Sequence, residues 1–245
     1  MTLPGPFYAT GSHIGVDLPG AHAVFTTRRG GYSNGPYASL NLGRWTDDDR
    51  GHVERNRARL REQLDVPFAF GRQVHGNGVT RTSEPSAERS MPEEADGQAT
   101  TTAGIGVMVL TADCLPIAIA ADGAVAMLHA GWRGLAGGIV EEGVRAIREL
   151  GGHGPLVAAI GPGAGPCCYE VGEEVHKEFR LHGEAARRGR NLDLKAIARM
   201  ELERAGADRA LDVELCTICS VPSMFYSHRR ERGITGRQAG VAWLS

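Results

Sequence analysis

The stretch that decides the fold covers residues 111–130 and reads TADCLPIAIAADGAVAMLHA. It contains two short apolar runs, residues 116–121 and 124–129, which are joined by Asp122-Gly123. Asp-Gly between apolar runs is typical of a two-residue type I′ hairpin turn. The stretch therefore predicts two antiparallel strands in which Ala121 faces Ala124 and Pro116 faces His129.

This register brings two reactive side chains to the open end of the hairpin. Cys114 lies on the same face as His129, as a diagonal neighbour about 7–8 Å away between backbones. A metal ion held about 2.3 Å from sulfur and about 2.0 Å from nitrogen could bridge that gap. A single buried cysteine usually packs as a small hydrophobe, and a single histidine at the end of a strand is usually a polar cap. The two together favour a functional site instead. The hairpin predicts half of a metal site.

Apolar periodicity extends an α/β pattern on both sides of the hairpin. We predict strands at residues 21–27, 105–111, 156–160, 211–217 and 238–244, and helices at residues 49–64, 135–150, 172–180 and 193–205. The polar residues 83–94 are predicted to form a loop. The expected fold is a single α/β domain over residues 1–245, a layered sandwich with a mixed, partly antiparallel sheet flanked by helices.

Composition limits the possible classes of function. The 245 residues include 27 Lys and Arg and 29 Asp and Glu, which gives a net charge of −2. Without a block of like charge, neither nucleic acid nor a membrane surface is an expected partner. Neither of the two lysines, Lys177 and Lys195, follows a glycine, so the chain lacks a Walker A loop.

We expect a cytoplasmic protein. The first ten residues lack the basic and apolar segments of a signal peptide. The most apolar region, residues 104–132, is interrupted by charged residues and a proline that a spanning helix would not tolerate. Five cysteines are an odd number, and we interpret them as reduced thiols. The sequence does not indicate an oligomeric state.

The other four cysteines form two short motifs. Cys216 and Cys219 have the C-x-x-C spacing of a redox motif, but there is neither a second cysteine pair of the kind that zinc needs nor a thioredoxin-like beginning. We interpret Cys216 and Cys219 as part of a structural strand, and the adjacent Cys167 and Cys168 as packing residues.

The third metal ligand is less clearly indicated. Of nine histidines, His75 lies between an apolar residue and a glycine, whereas His52, His176 and His182 lie in short stretches that contain several charged residues, and we interpret them as solvated. His75 has the best setting, but the residues alone do not decide the choice.

Seven motifs in order resemble the laccase-domain family, the multicopper-polyphenol-oxidase-like proteins regarded as purine nucleoside phosphorylases. They span nearly the whole chain: FTTR with Gly30-Gly31 at 25–31, SLNLG at 39–43, QVHG at 73–76, TADCLP at 111–116, HAGWRG at 129–134, GP to PCCYEVG at 161–172 and TGRQAG at 235–240. One departure is TDDD at 46–49, where the family usually has Gly-Asp-Asp/Asn-Pro, which affects a local turn.

The resemblance implies a zinc ion bound by His75, Cys114 and His129. It also implies phosphorolysis of adenosine, inosine and related nucleosides, with methylthioadenosine as a further substrate and adenosine deamination as a further activity. Two histidines and one cysteine leave a tetrahedral metal with one open position, as in a catalytic zinc site.

Further polar residues are candidates for binding substrate. Arg28 and Arg133 are candidates for a phosphate clamp, because guanidinium binds phosphate bidentately; Arg133 could equally form a salt bridge on its helix. Asn41, Gln73 and Asp96 are suited to orienting a substrate or a ligand. Cys114, His129 and Asp113 are the candidate catalytic residues, with Asp113 pointing away from Cys114 if the strand is regular.

Two other enzyme classes stay open. A copper polyphenol oxidase would need several histidines, typically as His-x-His, and this chain has no such pair; a single copper would favour a weak axial methionine such as Met108 or Met127. A cysteine hydrolase acting on a cell-wall precursor amide would use Cys114 as nucleophile and His129 as base. A non-catalytic partner-binding role would leave the Cys/His hairpin unexplained.

Overall fold

The structure, a computed structural model, describes residues 3–87 and 91–245; three residues of the predicted 83–94 loop, 88–90, lie outside the described residues. The described part of the chain forms fourteen strands and five α-helices. The strands are β1 (Tyr8–Thr10), β2 (His13–Leu18), β3 (Ala21–Phe25), β4 (Phe68–Ala69), β5 (Val79–Arg81), β6 (Gly97–Thr100), β7 (Gly106–Thr111), β8 (Leu115–Asp122), β9 (Ala124–Ala130), β10 (His153–Ile160), β11 (Arg187–Arg188), β12 (Asn191–Leu192), β13 (Arg209–Asp212) and β14 (Gln238–Leu244). The helices are α1 (Arg50–Leu64), α2 (Trp132–Ala136), α3 (Ile139–Glu149), α4 (Glu173–Glu178) and α5 (Leu194–Arg204).

Two six-stranded sheets form the centre of the fold. Their strand orders are β1-β2-β3-β14-β7-β4 and β13-β10-β8-β9-β6-β5, and β11 pairs with β12 separately. Most pairs are antiparallel, while β4–β7, β5–β6 and β10–β13 are parallel. The predicted mixed α/β sandwich flanked by helices is confirmed, and it has two sheets rather than one.

The alternation of side chains along β8 explains the layers. Ile117 and Ile119 belong to an apolar cluster with residues of α3 and α5. Ala118 and Ala120 point the other way, into a cluster with Val107 and other residues of the first sheet. Because both faces are covered, the strand is apolar at every position up to Ala121. Helix α1 packs on the far side of the first sheet through Leu60.

The hairpin forms in the predicted register, with Ala121 opposite Ala124 and Pro116 opposite His129. The turn type is different. Gly123 has a φ of 82°, but Asp122 is not in the positive-φ region, whereas a type I′ turn requires positive φ at both residues. The prediction of type I′ is therefore wrong, and the register holds because the apolar alternation of both strands fixes it.

Two other elements differ from the prediction. The expected helix at 135–150 is divided into α2 and α3 at Gly137-Gly138, where Gly138 has a φ of 83°. The expected strand at 211–217 ends early, because β13 stops at Asp212. Helices α1 and α5 begin where expected, since the side chains of Asp49 and Asp193 cap their first turns.

None of the helices in the described residues combines the length and the apolarity needed to cross a membrane.

Candidate metal centre and its pocket

The three predicted ligands come from three places in the chain and meet at one end of the second sheet. His75 lies on the loop between β4 and β5, Cys114 directly precedes β8, and His129 is near the end of β9. One ligand atom from each lies within 4.8 Å of those of the other two. The imidazole rings of His75 and His129 meet edge to face, with centroids 4.9 Å apart. The structure brings these residues into a group that can hold a metal ion.

Asp96 lies on the side of this group away from the pocket and fixes the positions of both histidines. Its carboxylate accepts a hydrogen bond of 2.7 Å from Nδ1 of His129 and further bonds from the backbone amides of Val74, His75 and Gly76 at 3.0, 3.0 and 2.8 Å. Because an ionised carboxylate only accepts, Nδ1 of His129 carries the proton and Nε2 is left for a metal. The sequence predicted a role for Asp96 in binding substrate or ligand; the structure places it behind the ligands rather than against the pocket.

The loop held by Asp96 carries a strained residue. His75 has a φ of 61°, a left-handed conformation that is uncommon for residues other than glycine. The three amide hydrogen bonds to Asp96 offset the energetic cost of this left-handed conformation. They fix an exposed histidine against the buried His129.

Cys114 and His129 change each other's protonation. Burial raises the pKa of the Cys114 thiol, but His129 and His75 outweigh this effect and lower it to about 6. Burial lowers the pKa of His129, but the Cys114 thiolate and Asp96 outweigh that effect and raise it to about 9. At neutral pH without metal the two form a thiolate–imidazolium pair, so the sulfur is already in the form that binds a metal.

The group opens into a pocket of about 420 Å³, within the usual range for small-molecule sites. Gly131 allows the wall to approach the site, since a Cβ there would lie 2.9 Å from Sγ of Cys114. Three large aromatic side chains and three arginines also line the pocket: Trp45, Trp132, Tyr169, Arg133, Arg229 and Arg237.

The three arginines give the pocket its positive charge. Arg133 lies over the ring of Trp132, 4.3 Å from its centroid. Arg229 lies over Tyr169 at 5.1 Å. Burial lowers the pKa of Arg237, and the nearby Cys114 and Asp113 oppose this effect. Of these arginines only Arg133 was predicted from the sequence. Arg237 lies within the TGRQAG motif, and this position is the one sequence signal that could have indicated it.

Arg28 is not among the residues that line this pocket, and its role as a phosphate ligand stays a prediction. Its guanidinium forms an ion pair of 2.6 Å with Glu231 and donates to the carbonyls of Pro36, Ala38 and Pro222. These partners join two segments, residues 26–49 and residues 213–237, and they engage all three nitrogen atoms of the guanidinium.

Asn41 and Gln73 are likewise engaged by the protein itself. Asn41 is fully buried, and its side-chain oxygen accepts from the amide of Arg237 at 2.8 Å. Gln73 lines the pocket, but its amide group exchanges two hydrogen bonds with the backbone of Leu110. Both side chains hold the backbone around the pocket, and their contacts with a substrate stay predictions.

Asp113 is a positioning residue in the structure. One carboxylate oxygen accepts from Oγ1 of Thr217 at 2.6 Å and the other from the amide of Arg229 at 2.7 Å. The φ of Asp113 is 93°, so the strand is not regular there. Asp113 fixes the loop that carries Arg229 instead of acting directly as a catalytic base.

The remaining cysteines also differ from the prediction. Neither Cys216 nor Cys219 lies in a strand: Cys216 forms a single bridge with Gly163, and Cys219 lies in the turn that follows. Their sulfur atoms lie within 4.8 Å of those of Cys167 and Cys168. The second cysteine pair that the C-x-x-C motif lacks in sequence is therefore present in space.

The fold and this pocket define an α/β protein with a candidate His, His, Cys metal centre. The chain belongs to the family described as multi-copper polyphenol oxidoreductase laccase, whose model matches residues 22–245. A purine nucleoside phosphorylase of Xylella fastidiosa is 42% identical, over 92% of this chain and 93% of the relative. The purine nucleoside phosphorylase YlmD of Geobacillus stearothermophilus is 39% identical, over 89% and 88%. The crystal structure of YlmD from Geobacillus stearothermophilus superposes with a TM-score of 0.91 and 35% identity, covering 98% of this chain and 99% of that one.

Proposed function

We propose that this chain is a cytoplasmic, zinc-dependent purine nucleoside phosphorylase. It cleaves adenosine and inosine, and also methylthioadenosine, with phosphate, and it deaminates adenosine. The observation that carries the proposal is the meeting of the His75, Cys114 and His129 group with three arginines in one pocket of about 420 Å³. The activity printed in the names of the Xylella and Geobacillus relatives supports it.

The ligand set fits zinc. Two imidazoles and one thiolate are common zinc ligands, and they leave one position of a tetrahedron unfilled. A copper site of the same composition favours a weak axial methionine, but Met108 and Met127 are buried in apolar clusters and neither lines the pocket. Copper remains the less favoured metal. A bound zinc would supply a Lewis acid at the floor of the pocket.

The chain's own residues account for the binding of a nucleoside and an anion. The guanidinium groups of Arg133, Arg229 and Arg237 offer donors to phosphate, which guanidinium binds bidentately. The rings of Trp45, Trp132 and Tyr169 provide apolar faces for a purine. Phosphate attacks the anomeric carbon as the bond to the purine breaks, and the arginines stabilise the negative charge on the attacking oxygens.

One observation favours a second candidate function, a cysteine hydrolase. The thiolate–imidazolium pair of Cys114 and His129 resembles the activated nucleophile of such enzymes, with pKa values lowered to about 6 and raised to about 9. His75 as a third neighbour of the sulfur has no part in that mechanism, which is why phosphorolysis is preferred.

Chromatography of products separates these functions. Zinc-loaded protein and adenosine should give adenine and ribose 1-phosphate only when phosphate is present, and inosine when it is absent. Arg229→Ala and Arg133→Ala should lower the phosphorolysis rate about 10–150-fold, because each removes a charge-assisted contact of about 1.5–3 kcal/mol. They should lower deamination much less.

A matched control is Arg145→Ala, since Arg145 is an exposed arginine of α3 that does not line the pocket. It should leave both reactions unchanged. If the zinc-loaded protein left adenosine intact with and without phosphate but cleaved an aminoacyl-muramyl nucleotide, the hydrolase would replace the phosphorylase.

A further inference from the structure

The four cysteines outside the pocket are brought together by the sheet. Strands β10 and β13 are parallel neighbours, with Ile160 opposite Asp212 at their ends. The chain leaves both strands at the same edge, and the pairing continues as a bridge between Gly163 and Cys216. Segments that begin side by side thus carry Cys167 and Cys168 on one side and Cys216 and Cys219 on the other.

The spacing of the sulfur atoms matches a tetrahedral metal site. All four Sγ atoms lie within 4.8 Å of one another; Cys167 is 3.5 Å from Cys219 and 3.6 Å from Cys168. Four sulfurs each about 2.3 Å from a central zinc ion would be about 3.8 Å apart. The observed separations need only small side-chain adjustments to reach that value.

The backbone around Cys216 is arranged for a negatively charged sulfur. The amide of Gly165 donates to its Sγ at 3.2 Å. A backbone amide donor suits a metal-bound thiolate, whose charge it stabilises. Gly165 permits this approach, because a Cβ there would lie 3.3 Å from the sulfurs of both Cys167 and Cys216.

Ordinary packing does not explain the cluster. A cysteine that serves as a small hydrophobe is buried among apolar side chains. Cys167 and Cys219 are exposed, and their sulfurs contact other sulfurs instead. Neither pair contributes to the ligand group formed by His75, Cys114 and His129.

We propose that Cys167, Cys168, Cys216 and Cys219 bind a second zinc ion with a structural role. Four thiolates fill all positions of a tetrahedral zinc ion and leave none for substrate, which is the arrangement of a structural site. This ion would join the segments after β10 and β13, which the backbone links at Gly163 through hydrogen bonds with Leu215 and Thr217.

The second zinc ion would support the pocket wall. Tyr169 follows Cys168 directly, and Arg229 donates to the carbonyl of Glu170 at 2.7 Å. Thr217 lies between the two cysteines of the C-x-x-C motif and donates to Asp113. Zinc at the four-cysteine site would thus fix both Tyr169 and the loop of Arg229.

Zinc counting by elemental analysis of protein purified anaerobically tests the proposal. Wild-type protein should hold two zinc ions per chain and Cys216→Ser/Cys219→Ser should hold one. His75→Ala/Cys114→Ser should also hold one, and it is the matched control because it changes a thiol at the other group. These counts do not depend on catalysis, so a protein that binds two zinc ions without phosphorylase activity would contradict only the proposed function.

A second measurement tests the proposal if the double variant Cys216→Ser/Cys219→Ser fails to fold. Cobalt(II) bound to wild-type protein should show intense sulfur-to-cobalt charge-transfer absorption, and the single variant Cys219→Ser, at an exposed position, should lose most of it. The same absorption should persist in His75→Ala/Cys114→Ser. The proposal would be overturned if wild-type protein held one zinc ion per chain and His75→Ala/Cys114→Ser held none. It would also be overturned by a disulfide between Cys167 and Cys219 in the anaerobic protein.

Discussion

Asp96 is fully buried, and it connects both histidines of the candidate metal centre. Burial raises its pKa, but the hydrogen bonds from His129, Val74 and Gly76 outweigh this effect and hold the pKa below its ordinary value. The carboxylate therefore stays ionised throughout the neutral range. As a partner of a ligand it fixes both the tautomer of His129 and the position of the His75 loop.

Replacing Asp96 by Asn should weaken zinc binding about 10–100-fold, the usual effect of losing a group that orients a metal-binding histidine. A competition titration with a chromophoric chelator measures the affinity, and thermal unfolding separates it from stability. Asp113→Asn is the matched control, because it also removes a buried, hydrogen-bonded carboxylate but contacts neither histidine. Tight zinc binding in Asp96→Asn together with weak binding in Asp113→Asn would contradict the role of Asp96.

The thiol of Cys114 should react at unusually low pH once metal is removed. Its pKa of about 6 lies below neutrality, so the thiolate predominates at pH 7 and disappears as the pH falls through about 6. Alkylation by iodoacetamide, followed by mass spectrometry of the Cys114 peptide from pH 5 to pH 9, should give a midpoint near 6. Zinc should protect the residue.

The peptide containing Cys167 and Cys168 is the internal control for this experiment. Desolvation of the sulfur atoms raises the pKa of both groups, that of Cys168 to about 11; Cys216 and Cys219 act in the same direction, whereas Cys167 lowers the pKa of Cys168. Their alkylation in the chelated protein should rise only at alkaline pH. A midpoint near 9 for Cys114 would show that His129 and His75 do not stabilise its thiolate.

At this scale the sequence predicts local neighbours better than distant ones. Strand register placed Cys114 beside His129, because a two-residue turn fixes which residues face each other. The ion pair of Arg28 was not predicted because its partner Glu231 is far away in sequence. Arg229 was missed for the same reason: its place in the pocket depends on the bond from its amide to Asp113, which no local pattern reveals.

At the scale of elements, the hairpin β8–β9 and the start of α2 form one wall of the metal group. Gly131 is the N-cap of α2 and has a φ of −80°, which any residue can adopt. The need for glycine here comes from space rather than conformation, since a Cβ would lie 2.9 Å from Sγ of Cys114 and 3.5 Å from Cδ2 of His75.

Gly131→Ala should therefore displace the sulfur and weaken zinc binding about tenfold or more, while the melting temperature changes little. Gly76→Ala is the matched control on the opposite loop, because a Cβ there would meet its neighbours at an ordinary 3.6 Å. Isothermal titration with zinc on both variants makes the comparison. Equal affinities would show that the close approach at Gly131 is not needed.

Element boundaries were predictable where a local signal marks them. Asp49 and Asp193 cap helices that begin one residue later, and β14 occupies the predicted residues 238–244. The break between α2 and α3 was missed because Leu135 and Ile139 keep a helical spacing across the two glycines. The end of β13 was missed because Leu211, Val213 and Leu215 keep a strand-like alternation past Asp212, where the strand stops.

At the scale of the whole molecule, the sequence indicates the class but not the number of sheets. Each strand of the hairpin is apolar on both faces, which predicts that both faces are covered. It does not say by what: Ala118 faces another sheet, whereas Ile117 faces helices. Residue size does not reveal the difference either, because in β9 the larger Met127 faces the other sheet and the smaller Ala126 faces the helices.

The positions of the three ligands in the chain have a consequence for metal exchange. Cys114 and His129 are joined by a single hairpin, a structure that forms within about 1–10 μs, whereas His75 arrives only when its loop docks on Asp96. His75 is also the exposed ligand of the three, while His129 is buried. If the site binds zinc, His75 would therefore be the ligand most easily detached, while the hairpin would keep Cys114 and His129 in place.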